Sequence, residues 1–262
     1  GGTVGIVTES NHPDYKEGDH VAGFWAWADY AVSNGEGINK LNPDLAPVTT
    51  ALGILGMPGM TAYFGFLDIC EPKKDDDVFV SGAAGAVGEL VGQLAKIKGC
   101  RVVGSAGTDE KVERLLNEAG YDEAFNYKTR TDYPDILRGY FPNGINCYFD
   151  NVGGAMSDAV LMNLAGFARM SICGAISQYN LEELEMAPRL MVNLLVTQSR
   201  AEGFIVSRFA DRFGEGQQQM TRWLSEGKLK YREDIMDGLE NTPKAFIRML
   251  NGENKGKQLV KV

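Results

Sequence analysis

Residues 81–88 read Ser-Gly-Ala-Ala-Gly-Ala-Val-Gly, three glycines at three-residue intervals with small or apolar residues between them. That pattern suits the binding of an anion by main chain. Glycine permits a tight turn, lets backbone approach a phosphate, and lets a following helix pack close to the preceding strand. An apolar run, Val78-Phe79-Val80, leads into the loop, and apolar residues at helical spacing (Val87, Leu90, Val91, Leu94, Ala95) lead out of it. A helix starting there offers unpaired N–H groups and the positive end of its dipole to a pyrophosphate. The spacing is G-x-x-G-x-x-G rather than G-x-G-x-x-G, so the loop alone is either a plain glycine-rich turn or a phosphate cradle. Its strand–loop–helix–strand context favours the cradle.

The next strand bears on which dinucleotide would be held. A site for NAD usually places Asp or Glu near the end of that strand, where it accepts from the ribose 2′-OH. Here the chain runs Val102-Val103-Gly104-Ser105-Ala106-Gly107-Thr108, with no acid before Asp109. Lys111 follows at the start of a helix, and Tyr127-Lys128 ends the strand after it. A missing acid with a nearby cation suits a 2′-phosphate, hence NADPH. The other reading of Lys111 is an ordinary solvated helix lysine.

The elements that must position these residues alternate. Strands are expected at 78–81, 101–105, 124–126, 147–150, 168–173 and 204–206. Helices are expected at 85–98, 109–119 (Thr108 as N-cap, Gly120 as C-cap), 131–140, 156–164 and 188–197. Such alternation over about 130 residues means a parallel sheet with helices on both faces, an α/β doubly wound Rossmann fold. Before it, Thr3–Val7, Val21–Trp25 and Tyr30–Val32 read as short strands of a small β-barrel. After it come a helix at 243–250 and a closing strand at 258–262, which is expected to pair with the N-terminal β region. The expected domains are 1–47, 48–230 as the nucleotide-binding domain, and 231–262 returning to the first. The chain opens on Gly1-Gly2-Thr3-Val4 in what reads as mid-domain, so an N-terminal piece is expected to be missing.

Composition excludes several classes. The formal net charge is −9 across 262 residues and no Lys/Arg run appears, which argues against nucleic acid as the partner. No stretch approaches the ~18 consecutive apolar residues of a membrane span. The four cysteines (Cys70, Cys100, Cys147, Cys173) are scattered, and three of them sit in apolar runs. They read as small buried hydrophobes of a reducing, cytoplasmic compartment rather than as disulfides or metal ligands. With only His12 and His20, neither a His-rich metal site nor a Ser-His-Asp triad is easily built, and no metal is expected.

Several runs together resemble the zinc-free medium-chain dehydrogenase/reductases. They are Leu55-Gly56-Met57-Pro58-Gly59-Met60-Thr61-Ala62-Tyr63, Gly82 to Gly88, and Phe125-Asn126-Tyr127-Lys128. Asp150-Asn151-Val152-Gly153-Gly154, Cys173-Gly174-Ala175-Ile176-Ser177-Gln178-Tyr179-Asn180 and Gly252-Glu253-Asn254-Lys255-Gly256-Lys257 are similar to the prostaglandin reductase, 2-alkenal reductase and curcumin reductase branch. The resemblance covers essentially the whole chain. It implies a Rossmann domain inserted in a partial GroES-like β-barrel catalytic domain, commonly in a homodimer. It also implies NADPH-dependent reduction of a C=C bond conjugated to a carbonyl, with an enal or enone as substrate. By that resemblance Gly85 to Gly88 line the pyrophosphate while Lys111 and Tyr127 hold the 2′-phosphate. Asn151, the segment Cys173, Gly174, Ala175, Ile176, Ser177 to Tyr179, then Phe204, Ile205, Val206 and Asn254 complete the cofactor cleft, and Thr61 lies near the nicotinamide.

Hydride delivery to the β-carbon of an enone builds negative charge on the carbonyl oxygen, so the site needs a donor aimed there. Tyr179 is the candidate; the other reading is a hydrogen bond to the cofactor alone. The α-carbon proton comes from Tyr179 or from water. Phe24-Trp25-Ala26-Trp27 either shapes a pocket for a flat substrate or fills the barrel core. The alternatives in function are a quinone reductase of the same superfamily and a non-catalytic NADPH-binding protein. A zinc alcohol dehydrogenase would need a Cys/His ligand set that this chain does not show.

Overall fold

The computed structural model describes residues 1–183 and 185–262, in two compact units: Gly1–Pro58 with Tyr231–Val262, and Gly59–Lys230. In chain order the first unit opens with an antiparallel sheet of β1 (Gly2–Ile6), β2 (His20–Phe24) and β3 (Asn39–Leu41), in the order β1-β2-β3. Tyr30–Val32, expected as a strand, is open chain, with Tyr30 and Val32 80% and 99% exposed. The third strand is instead Asn39-Lys40-Leu41, whose polar residues hide it from a hydrophobic pattern. The segment 48–52, placed by sequence in the nucleotide-binding domain, belongs to the first unit, with the Leu52 side chain against Gly2.

The second unit follows helix α1 (Met57–Phe64), which spans the boundary. It alternates β4 (Asp77–Val80), α2 (Gly88–Ile97), β5 (Arg101–Ala106), α3 (Asp109–Asn117), β6 (Glu123–Asn126), α4 (Tyr133–Tyr140), β7 (Ile145–Asp150), α5 (Gly154–Leu161), β8 (Leu164–Ile172), α6 (Met191–Thr197), β9 (Arg200–Gly203) and α7 (Phe213–Ser225). The six strands are parallel in the order β6-β5-β4-β7-β8-β9. This is the expected doubly wound sheet.

The chain starts in the middle of that sheet and winds outward both ways. The turns leaving β4 and β7 therefore diverge to opposite faces and open a crevice at the carboxyl ends of these strands. Local chemistry fixes the helix starts. Thr108 caps α3 by accepting the Lys111 N–H at 3.2 Å, and Asp109 and Glu110 complement the dipole in the first turn. Under one face of the sheet Phe79 stacks between Phe125 (6.1 Å between centroids) and Tyr148 (5.5 Å), with Phe141 edge-on. Burying each such ring stabilises the sheet by about 1.5–3 kcal/mol.

The last parallel strand differs from expectation. It is Arg200–Gly203, not Phe204–Val206: β9 pairs with Arg169–Ile172 of β8 and stops at Gly203. As an edge strand it is polar, with Arg200 paired to Glu71 and Glu202 to Arg208, so alternation of apolar residues does not mark it.

The first unit closes with β10 (Glu233–Asp237), α8 (Thr242–Leu250) and β11 (Lys257–Lys261). Here too the expectation is corrected: β11 pairs in parallel with β10 in a two-stranded sheet, not with the N-terminal strands.

Candidate functional site

Three turns meet at the crevice between β4 and β7. In the first, Gly82 has φ +59° and Ala83 donates its N–H to the Ser105 carbonyl at 2.9 Å, which ties the loop to β5. The first bonded turn opens with Glu89 donating to the Gly85 carbonyl at 3.0 Å, so the N–H groups of Ala86, Val87 and Gly88 precede it. Gly88 is sterically required: a Cβ there would sit 2.5 Å from the Gly82 oxygen and 2.8 Å from the Ala83 Cα. The Tyr121 hydroxyl donates to the Gly88 carbonyl at 2.7 Å, while its ring fills the space left by Gly92 and Gly104. Loop, helix and strand are thus closed on one another around main chain.

The second turn follows β7, and its hub is Asp150, 2% exposed. One carboxylate oxygen accepts from Tyr148 Oη (2.8 Å), Ser81 Oγ (3.1 Å) and the N–H groups of Val152 (2.9 Å) and Gly153 (2.8 Å); the other accepts from Ser157 Oγ. A buried carboxylate is tolerated because its lone pairs are filled this way. Complete burial beside Asp150 holds the Tyr148 phenol well above its ordinary pKa, so it remains a donor. Asn151 gives its N–H to Ser81 Oγ at 3.0 Å and its amide to the Ser81 carbonyl at 2.8 Å.

The third turn, 173–179, lies on the second. Cys173 and Gly174 donate to the Asp150 carbonyl at 2.9 and 3.0 Å, Ile176 to that of Asn151 at 3.3 Å and Ser177 to that of Val152 at 3.1 Å. The Tyr179 hydroxyl oxygen accepts the Ala175 N–H at 3.0 Å within this turn, and its ring is exposed. Burial, with Asp150 nearby, pushes the Cys173 thiol up to about 12, so it is an inert neutral group there.

The structure thus gathers Gly85–Gly88, Asn151 and Cys173–Tyr179 at one crevice. At its β5 side, Tyr127 is half-buried with its hydroxyl over Gly107, where a Cβ would approach it to 3.0 Å. Burial raises the Tyr127 phenol pKa. Lys111 is the third residue of α3. Thr61 is buried in α1. Phe204 turns its ring into the core against Phe149 and Gly65, whereas Ile205 is exposed and Val206 begins a 3₁₀ turn. Asn254 belongs to the first unit, where its amide donates to the Gly256 carbonyl at 2.6 Å.

Asp150 and Ser81 were given no role by sequence reasoning. The available signal was a polar residue ending each of two apolar strand runs, at 81 and 150. Among the described residues, no group of three or more His, Cys, Asp or Glu side chains is placed to hold a metal ion. Nor is any helix of the described residues long and apolar enough to cross a membrane.

Comparisons with known proteins bear on the family and the fold. Residues 86–225 match the family described as zinc-binding dehydrogenase, and residues 1–41 the N-terminal domain of oxidoreductases. Prostaglandin reductase 1 of Mus musculus is 47% identical over all of this chain and 80% of its own length. The NADP(+)-dependent 2-alkenal reductase of Nicotiana tabacum is 46% identical over 99% of this chain and 76% of its own. Among solved structures, CurA of Vibrio vulnificus in complex with NADPH superposes with a TM-score of 0.95 at 44% identity, over all of this chain and 79% of that one.

Proposed function

This chain belongs to the medium-chain dehydrogenase/reductases, in the branch that holds prostaglandin reductase 1 and 2-alkenal reductase, and we propose from that premise that it reduces the C=C bond of α,β-unsaturated aldehydes and ketones with NADPH. The observation that carries the reading is the closed Gly82–Gly88 cradle beside a β5 turn that offers no acid before Asp109. The residues present fit such a cofactor. Gly88 leaves no room for a side chain between loop and helix, and the N–H groups of Ala86, Val87 and Gly88 come before the first bonded turn, the position from which a helix start can bind an anion.

On this reading the bound NADPH supplies the hydride that reaches the β-carbon. Gly85, Ala86, Val87 and Gly88 hold the pyrophosphate, and Lys111 and Tyr127 the 2′-phosphate. Asn151, Cys173 to Tyr179, Phe204, Ile205, Val206 and Thr61 complete the binding residues of the Gly59–Lys230 unit. Asp150 holds the second and third turns in register. Tyr179 donates to the developing oxyanion. Its oxygen is fixed by the Ala175 N–H, which leaves the phenol proton to give and, through hydrogen-bond cooperativity, makes it a better donor. Gly1–Pro58 with Tyr231–Val262 is then the GroES-like catalytic domain and Gly59–Lys230 the nucleotide-binding one.

Tyr179→Phe should lower kcat with enals about 100-fold, the lower end of what one lost oxyanion donor costs, and change the Kd for NADPH little. Unchanged turnover would remove Tyr179 from the chemistry. For the activity itself, NADPH oxidation is followed with a 2-alkenal, the matching saturated aldehyde and a quinone. Enal-dependent oxidation to a saturated aldehyde is expected. Oxidation with the quinone alone would make it a quinone reductase, and NADPH binding without turnover a non-catalytic binder.

The oligomer proposed is a homodimer built on the β9 edge. That edge carries unpaired main chain, and the preceding helix α6 exposes Leu195 and Val196. Leu195→Asp is expected to shift the sedimentation coefficient to that of a monomer; no shift would displace the interface. Four unpaired cysteines fit a reducing, cytoplasmic compartment, which cell fractionation checks.

A further inference from the structure

The turn leaving β5 is held from β6 by two consecutive side chains. Tyr127 lies over Gly107. Asn126, buried and in register with Ala106, donates its amide N–H to Asp109 Oδ1 at 2.7 Å, while its own oxygen accepts the Lys128 N–H at 3.0 Å. Both ends of the Asn126 amide are therefore engaged, and its orientation is fixed.

Asp109 is the first acid after β5, the region in which a carboxylate selects for an unphosphorylated ribose. It is also the first residue of α3, where the helix dipole favours negative charge. The two demands conflict if a phosphate is to be bound at this turn. We propose that Asn126 is a specificity-determining residue: by holding the Asp109 carboxylate against the end of β6, it keeps that charge from opposing a ribose 2′-phosphate. The helix keeps its favourable acid and the phosphate keeps a turn free of opposing charge. This rests on the reading of the β5 turn as the NADPH ribose site.

The test is the ratio of kcat/KM for NADPH to that for NADH, at a fixed concentration of one 2-alkenal. Asn126→Ala should lower this ratio about tenfold, the scale of a unit charge newly placed about 5 Å from a phosphate dianion in a solvent-facing setting. Adding Asp109→Asn in the same background should restore the ratio to within about twofold. Adding Glu110→Gln instead should leave it low. A folding defect penalises both cofactors together and cannot be repaired by Asp109→Asn, so the ratio isolates the charge effect. Equal loss with both cofactors, or repair by Glu110→Gln as complete as by Asp109→Asn, would overturn the proposal. Failure of the underlying reading looks different: the unmodified enzyme would show no preference for NADPH. A preference that collapses in Lys111→Ala but is untouched in Asn126→Ala would sink the Asn126 role alone.

Discussion

Gly88→Ala is expected to weaken NADPH binding at least about a hundredfold, near 3 kcal/mol, and to lower the melting temperature as well. The new Cβ meets main chain on both sides, 2.5 Å from the Gly82 oxygen and 2.8 Å from the Ala83 Cα, and neither can rotate away. Helix α2 cannot retreat cheaply either. Its Gly92 is against the Tyr121 ring, and Tyr121 holds the Gly88 carbonyl at 2.7 Å, so a shift breaks a buried hydrogen bond. Overpacking of this kind costs about 1–3 kcal/mol in stability. Gly85→Ala provides the contrast, because its Cβ would meet only the Gly82 oxygen, at 3.4 Å. That variant should keep its melting temperature, with any loss confined to cofactor affinity. Calorimetry of both variants, with and without NADPH, gives the comparison. A Gly85→Ala protein less stable than Gly88→Ala would contradict the packing account.

Lys111→Ala is expected to weaken NADPH binding roughly 10- to 100-fold, corresponding to the ~1.5–3 kcal/mol of a charge-assisted hydrogen bond. NADH, without the 2′-phosphate, should lose little. The position follows from local structure: Thr108 caps α3 through the Lys111 N–H and so sets where the first turn of the helix begins, next to the turn that Tyr127 covers. Titration of each cofactor by fluorescence separates the cases. Equal losses for NADPH and NADH would sink the 2′-phosphate assignment, and no loss with either would make Lys111 an ordinary surface lysine of the helix.

Much of this organisation was legible in the sequence, for physical reasons that differ by element. Buried parallel strands such as Val78-Phe79-Val80 stand out as apolar runs because both their faces are covered. The glycine loop stands out because Gly82 takes a positive φ and Gly88 has no room for a Cβ. Where these forces do not act, the sequence is silent or misleading. Strand β9 is an edge whose Arg200 and Glu202 face salt-bridge partners, so the apolar trio Phe204–Val206 just beyond it reads as the strand instead. The pairing of β11 with β10 rather than with β1 is a matter of topology that periodicity cannot express. Asp150 escaped notice because its donors come from Ser81, Tyr148, Ser157 and the Val152–Gly153 main chain, a set assembled only by folding. Tyr179 was legible as a phenol in a small-residue turn, but its Ala175 partner was not.

The most direct test of the central claim follows deuterium from NADPH labelled at nicotinamide C4, on each face in turn, into the product of a 2-alkenal, read by NMR. The account predicts a saturated aldehyde with deuterium at C3, from one of the two labelled cofactors and not the other. Deuterium at C1 of an allylic alcohol would mean carbonyl reduction. An unlabelled product, or none, would contradict hydride transfer to the β-carbon altogether.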